Sequence, residues 1–184
     1  MTKPESEISK EFTALMSPYF RLYPEVLLVH PSKGRLRIDF VGQPTCGRWQ
    51  GNMGFELKHG DIGNGKFSSW SNAIAQCIDY SQSRIVSDKI GGEDWFGHTL
   101  KYVFLFPCPF RIWRRPEPDE DRQHAWARGQ VRLAGKFGVG AIEQDPEEND
   151  WVFTLGAEAA FRLQKGPTAL GLKHAVGERI GADR

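Results

Sequence analysis

The sequence predicts an α/β fold, a single domain in which α-helices flank a mixed β-sheet. Three features predict it: a helical pattern near residue 5, three short strand-like runs after it, and a second helical pattern followed by a continuous apolar run at 100–106. A chain of 184 residues suits one domain with a sizeable core. We place that domain at residues 1–165 and treat 166–184 as a Gly-rich tail that can be flexible.

The first part of the chain is expected to form one helix and three strands. From Glu5 to about Phe20 apolar residues recur every three or four positions, which is typical of a helix with one buried face. These residues are Ile8, Phe12, Leu15, Met16 and Tyr19. The runs VLLVH (26–30), RLRIDFVG (35–42) and GFELKH (54–59) are separated by Pro and Gly turns, which predicts a three-stranded meander.

A second helix and a buried strand should follow. Residues 70–87 show helical spacing, and Ser68 or Ser69 can cap the helix. The residues at that spacing are Ile74, Cys77, Ile78, Ser81 and Ile85. The run LKYVFLF (100–106) is followed by Pro107, which indicates a strand that is buried on both faces and pairs in parallel beside the meander.

The rest of the chain predicts a loop, two helices and two strands. The segment 107–121 contains four prolines and is predicted to be an exposed loop. A helix is expected at about 121–135 and strands at 137–143 and 151–155, with the turn DPEEND between them. A last helix is expected at 157–164.

Charge and cysteine content narrow the functional classes. The net charge of +1 means that a site for a polyanion has to be a local patch. Cys46, Cys77 and Cys108 lie far apart without a CxxC pair, which argues against a zinc knuckle or a disulfide framework. We see neither a secretory signal nor a segment that could span a bilayer, so we expect a cytoplasmic protein with no membrane partner.

Charged residues interrupt two of the predicted strands. Because successive side chains of a strand point to opposite faces, Ile38 and Phe40 should share one face and Asp39 the other. By the same alternation, Glu56 and Lys58 should oppose their apolar neighbours. In neighbouring strands the three charges would converge on one surface. A solvated sheet face with cross-strand ion pairs would show the same pattern.

A divalent metal ion would stabilise such a cluster. Two carboxylates at this separation repel each other unless a cation lies between them. Mg²⁺ prefers oxygen ligands and takes one or two carboxylates, and the backbone carbonyl of Leu57 can add a third ligand. The ammonium group of Lys58 would then point at a metal-bound water and a scissile phosphate.

Asp39 followed by Glu56-Leu57-Lys58 on the next strand resembles the motif of the PD-(D/E)xK nuclease superfamily, although Ile38 stands where the name has proline. On the helix that follows, Gln76 and Tyr80 resemble the QxxxY motif of the superfamily's RecB-like branch. Residues four apart share one face of a helix.

The resemblance covers about residues 5–106 and implies a restriction-endonuclease-like fold. It also implies a Mg²⁺-dependent nuclease, in which Mn²⁺ can substitute, that hydrolyses the phosphodiester bonds of DNA. The implied catalytic residues are Asp39, Glu56, Lys58, Gln76 and Tyr80. The implied metal ligands are Asp39, Glu56 and the carbonyl of Leu57, with Glu11 on the first helix as a further, weaker candidate.

A second group of residues is a candidate for binding nucleic acid. Cations beside aromatic side chains suit a phosphate backbone with splayed bases. The candidates are Arg37, Arg111, Trp113, Arg114 and Arg115, together with Phe110. An ordinary solvent-facing loop has the same composition at 110–115.

Two alternatives stay open. A catalytically inactive module could keep the nuclease fold and bind nucleic acid or protein, because the net charge is near neutral and the motif lacks its proline. Within the enzymes, a junction resolvase or restriction-like endonuclease acting as a homodimer would suit a chain with little room for a separate recognition domain.

Overall fold

The computed structural model describes residues 4–45, 51–58, 67–86, 94–108, 110, 112, 122–145, 150–156, 158–163 and 170–171. In these ranges the chain forms three α-helices and one mixed sheet of nine strands. The helices are α1 (Glu5–Met16), α2 (Phe67–Ser81) and α3 (Arg122–Ala134). The strands are β1 (Phe20–His30), β2 (Gly34–Pro44), β3 (Met53–Leu57), β4 (Arg84–Ile85), β5 (Tyr102–Phe106), β6 (Val139–Asp145), β7 (Asp150–Leu155), β8 (Glu158–Leu163) and β9 (Leu170–Gly171). The predicted α/β class is confirmed.

The strands lie in the order β4-β1-β2-β3-β5-β6-β7-β8-β9. Central β5 pairs in parallel with β3 and with β6, and the other neighbouring strands pair antiparallel. A central parallel strand is covered on both faces, so it needs apolar residues at successive positions. Four of the five β5 residues are buried, which confirms the predicted buried strand and its parallel pairing beside the meander.

Two apolar clusters cover the two faces of the sheet. On one face α1 packs through Phe12, whose ring centroid lies 5.1–5.2 Å from those of Phe40, Phe55 and Phe106. On the other face α2 and α3 pack through a cluster that includes Trp70. Alternate residues of β5 enter the two clusters, as the pleat requires. Of the helices in the described ranges, none is long and apolar enough to cross a membrane.

Halfway along the β1–β2 hairpin, the regular alternation of side chains between the two faces of the sheet is interrupted. The register pairs Pro24 with Phe40 and Val26 with Ile38, and Glu25 between them has a φ of 55°. This left-handed backbone is uncommon for a residue with a side chain. Ile38 belongs to the cluster under α2, whereas Phe40 belongs to the cluster under α1. The prediction that these two residues share a face is therefore wrong.

Both helices of the amino-terminal half end earlier than predicted. α1 ends at Met16 because Pro18 cannot donate the next helical hydrogen bond, and the chain enters β1 at Phe20. α2 ends at Ser81, and Ile85 pairs with Leu28 in β4 instead of extending the helix. The cap prediction is also wrong, because α2 begins at Phe67 and both candidate serines lie inside it.

The carboxyl-terminal half contains two further corrections. The predicted helix at 157–164 is strand β8, antiparallel to β7. The segment 107–121 is not exposed throughout, because Cys108, Phe110 and Ile112 are buried, and Phe110 meets Trp70 edge to face at 5.0 Å. α3, β6 and β7 form close to their predicted positions, and β9, from the segment assigned to the tail, pairs with β8.

Candidate functional site

The site lies where β2 and β3 part. These strands pair only from Phe40 to Gly42 and from Met53 to Phe55. Just beyond the paired segment, Asp39 Oδ2 accepts a hydrogen bond of 2.6 Å from the backbone N–H of Leu57. A carboxylate on β2 thereby takes the place of a ladder bond and holds the end of β3. The amide of Leu57, and not its carbonyl, is the group seen in contact with Asp39.

Glu56 is the buried carboxylate of the site. It lies on β3 with 3% of its surface exposed, and its Oε1 accepts a hydrogen bond of 2.5 Å from Lys58 Nζ. Its second oxygen, Oε2, is buried and has no hydrogen-bond partner among the described residues. Burial raises the pKa of Glu56 from 4.5 to about 7; the hydrogen bond from Lys58 opposes the rise, and the charge of Asp39 adds to it.

A chain of hydrogen bonds connects Lys58 to α2 and back to the hairpin. Lys58 Nζ donates to Gln76 Oε1 at 3.0 Å, and Gln76 Nε2 donates to Tyr80 Oη at 2.5 Å. Tyr80 then donates to the backbone carbonyl of Arg37 at 2.8 Å. The four-residue spacing puts Gln76 and Tyr80 on one helical face, as predicted. Burial, with the nearby charge of Glu56, raises the pKa of the Tyr80 phenol, so the phenol stays a donor.

Cys77 forms the apolar wall behind Glu56. The residue is fully buried, and burial raises the pKa of its thiol, with the charge of Glu56 adding to the rise. The thiol therefore stays protonated and unreactive. The helical spacing predicted that Cys77 lies on the buried face of the helix, but it did not place Cys77 at the candidate site. Its position next to Gln76, on the apolar side of the helix, is the signal that could have found it.

Of the five predicted catalytic residues, four are linked by side-chain hydrogen bonds, and Asp39 lies beside them through the backbone N–H of Leu57; the other candidates are not all part of the cluster. Glu11 lies on an exposed part of α1, which packs on the face of the sheet opposite to Glu56. The guanidinium of Arg37 is exposed and pairs with Glu25 at 2.7 Å. Four more candidates for binding nucleic acid lie outside the described residues: Arg111, Trp113, Arg114 and Arg115.

The residues present fit a divalent cation that needs few protein ligands. The described residues contain no group of three or more His, Cys, Asp or Glu side chains that could hold a metal ion. Asp39 and Glu56 therefore offer two carboxylates, which is the number that Mg²⁺ commonly takes from a protein. The orphaned Oε2 of Glu56 supports the fit, because a buried carboxylate oxygen without a partner is costly unless a cation or donor satisfies it.

No protein-family model matches the chain, and no curated protein or solved structure matches it significantly. The chemistry of the site is therefore inferred from its own residues.

Proposed function

We propose that this protein is a Mg²⁺-dependent deoxyribonuclease with the restriction-endonuclease-like fold of the PD-(D/E)xK superfamily, in its RecB-like branch. The observation that carries the proposal is the burial of Glu56, with one open oxygen, beside Asp39 and the Lys58 ammonium. Carboxyl groups with a strongly raised pKa and a specific charged neighbour occur preferentially at functional sites. The order of elements supports the proposal, because α1, the β1–β3 meander, α2 and parallel β5 follow one another as the resemblance requires.

Each residue of the cluster has a role in this reaction. Asp39 and Glu56 would hold Mg²⁺, which supplies positive charge to the phosphate and lowers the pKa of a bound water. Lys58 would give an N–H to the phosphate oxygens that gain charge in the transition state. Gln76 orients the Lys58 ammonium through its Oε1, and Tyr80 orients Gln76 through its hydroxyl. Burial of Glu56 and Cys77 keeps bulk water away from that side of the site.

The same contacts argue against a purely structural ion pair. A buried pair that serves stability alone is expected to satisfy both oxygens of its carboxylate. Glu56 satisfies only one among the described residues, and a second carboxylate is close enough to raise its pKa. Even with Lys58 as its partner, this buried carboxylate costs folding energy, and a metal ion bound at the open oxygen would offset that cost.

Cleavage of DNA by the purified protein tests the proposal. Supercoiled plasmid, linear duplex and single-stranded DNA are incubated with Mg²⁺, with Mn²⁺ or with EDTA. We expect cleavage with either metal and none with EDTA. Glu56→Gln should lower the rate at least about 100-fold, because it removes a metal ligand without changing the side-chain volume.

Glu143→Gln is the matched control, because Glu143 is a glutamate of similar burial on β6 that accepts the N–H of Ile112. This variant should cleave at the wild-type rate per folded molecule, with the folded fraction measured by circular dichroism. Metal-independent binding of DNA without cleavage would instead support the inactive module.

A further inference from the structure

The outer half of the β1–β2 hairpin exposes a sheet face that no helix of the described ranges covers. Leu27 and Val29 of β1 are 42% and 37% exposed. Their cross-strand partners on β2 are Arg37 and Arg35, both exposed. Directly opposed residues in a sheet place their side chains on the same face. On its other side Val29 pairs with Arg84 of β4, so three arginines from two strands surround two apolar side chains.

An aromatic ring stands at the edge of this face. Phe96 is 62% exposed and, with Val29, Pro31 and Arg84, lines a pocket of about 350 Å³. The turn that carries Phe96 is anchored on both sides. Trp95 is buried against the ring of Tyr23 at 4.8 Å, and Gly97, with a φ of 79°, donates its N–H to Ile85. We call Leu27, Val29, Arg35, Arg37, Arg84 and Phe96 the hairpin face.

Three arginines outnumber the acidic residues described at the hairpin face, which are Glu25 beside Arg37 and Asp94, whose carboxylate accepts the N–H of Phe96. Arg37 pairs with Glu25, but both side chains are more than half exposed, so water and salt weaken this pair. Within the described residues neither Arg35 nor Arg84 has an acidic side chain at ion-pair distance. The protein as a whole carries a net charge of only +1, so this is the kind of local patch that a polyanion requires.

We propose that the hairpin face binds single-stranded DNA, with phosphates on the arginines and an unstacked base in the pocket against Phe96. Proteins that hold single strands combine cationic side chains with exposed aromatic rings on which bases stack. A duplex would contact the arginines through its backbone but would leave the Phe96 pocket unused, because its bases are stacked inside the helix. Apolar side chains between the arginines favour a base over a phosphate at Leu27 and Val29.

This inference rests on the proposed function for what happens to the bound strand, and it names single-stranded or frayed DNA as the substrate class. The hairpin face adjoins the candidate site along β2, because Arg37 lies two residues before Asp39, about 7 Å along a strand. The backbone carbonyl of Arg37 is also the acceptor for Tyr80. The arginine side chains lie on the face opposite to Ile38 and α2, so a strand held on them would reach Glu56 by passing through the gap between β2 and β3.

Binding is measured apart from cleavage by fluorescence anisotropy, with Glu56→Gln protein in EDTA and labelled 20-nucleotide DNA. We expect tighter binding to the single strand than to the duplex of the same sequence. Phe96→Ala, made in this background, should weaken single-strand binding about tenfold, which is typical of the removal of one stacked ring. The double variant Arg35→Ala with Arg84→Ala should lower the slope of log K against log salt by about 1.4, which is about 0.7 for each phosphate of a single strand that an arginine no longer neutralises.

Two exposed residues elsewhere give matched controls. Phe137→Ala removes a ring that is 51% exposed in the groove between α2 and α3, and Arg21→Ala removes an exposed arginine from the other half of β1. Neither should change binding. Equal binding of duplex and single strand, or an equal effect of Phe96→Ala and Phe137→Ala, would overturn the inference. Unchanged cleavage by Phe96→Ala protein would reject the hairpin face as the binding site while leaving the proposed function intact. Binding of single-stranded DNA at the hairpin face without any cleavage would support the hairpin face and reject the proposed function.

Discussion

The protonation state of one side chain, Glu56, controls the electrostatics of the candidate site. Burial raises its pKa from 4.5 to about 7, so the folded protein holds a proton on this carboxyl more tightly than the unfolded chain does. The stability contributed by that proton is fully present below about pH 4.5 and is lost as pH rises through about 7. Above that pH the folded state has to bury a negative charge whose desolvation outweighs its pairing with Lys58, unless a metal ion is also bound.

A first prediction concerns the metal-free protein. In EDTA, the free energy of unfolding should fall by about 3 kcal/mol between pH 4.5 and pH 8 through Glu56 alone. Glu56→Gln lacks this titration, so above pH 7 it should be more stable than the wild type. Urea denaturation at a series of pH values measures both effects. Glu7→Gln, which changes an exposed glutamate of α1, should keep the wild-type pH profile.

The second prediction concerns Mg²⁺ itself. A metal ion and a proton compete for the same carboxylate, so Mg²⁺ should raise the melting temperature more at pH 8 than at pH 6. Thermal melts with Mg²⁺ at about ten times its dissociation constant would detect the shift, because such an excess stabilises the folded state by about 1.4 kcal/mol. An equal shift at both pH values, or an unchanged shift in Glu56→Gln protein, would place the metal elsewhere.

Lys58 supports a third prediction. Its ammonium donates to both Glu56 and Gln76, so Lys58→Ala leaves the buried Glu56 and the half-buried Gln76 without that donor. We expect a fall in the cleavage rate of about 100- to 1,000-fold, since the transition state loses a positioned donor. Lys33→Ala is the matched control, because Lys33 forms an exposed ion pair with Asp79. An exposed pair contributes little, so this variant should keep its activity.

Tyr80 connects two elements, α2 and the β1–β2 hairpin. Its hydroxyl donates to the carbonyl of Arg37 and accepts from Gln76. The fourth prediction is that Tyr80→Phe lowers the free energy of unfolding by about 1–3 kcal/mol, because the half-buried Gln76 amide and the Arg37 carbonyl each lose a partner. Tyr23→Phe should be neutral or slightly stabilising, because the Tyr23 hydroxyl is buried without a hydrogen-bond partner among the described residues. Equal losses in the two variants, measured by urea denaturation, would contradict this role.

The elements that carry the site could be predicted from the sequence because their residues follow a strong local pattern. β2, β3 and the part of α2 from residue 70 to 81 each bury one face or both, so apolar strand-like runs and helical spacing identify them. The contact between Gln76 and Tyr80 follows from helical spacing alone. These local rules need no knowledge of the rest of the chain.

Other features depended on contacts that local patterns do not contain. The segment at 157–164 contains three Ala together with Glu, Arg, Leu and Gln, which all favour a helix, yet pairing with β7 makes it a strand. Ile85 continues the spacing of α2 but pairs with β1 instead. At the site, alternation alone could not show that β2 changes faces near Asp39, or that this carboxylate would bond to the amide of Leu57.

The two-sided core holds the strands of the site in place. Asp39 and Glu56 lie on β2 and β3, which are clamped between α1 on one face and α2 on the other. Phe12 of α1 is fully buried, and its ring meets Phe40 of β2 and Phe55 of β3. α1 therefore supports the two strands from the face of the sheet opposite to the candidate site, and in this way it fixes the distance between the two carboxylates. A loss of this packing should affect both stability and metal binding.

The last prediction follows from this packing. Phe12→Ala should lower the free energy of unfolding by about 3–5 kcal/mol, because it leaves a cavity among three aromatic rings. Phe137→Ala, at a ring that is 51% exposed, should cost less than about 1 kcal/mol. Urea denaturation compares the two, and Mg²⁺ titration of the folded Phe12→Ala protein should show weaker metal binding. A cost below about 1 kcal/mol for Phe12→Ala would mean that α1 does not hold β2 and β3 together, and the carboxylate pair would then need another support.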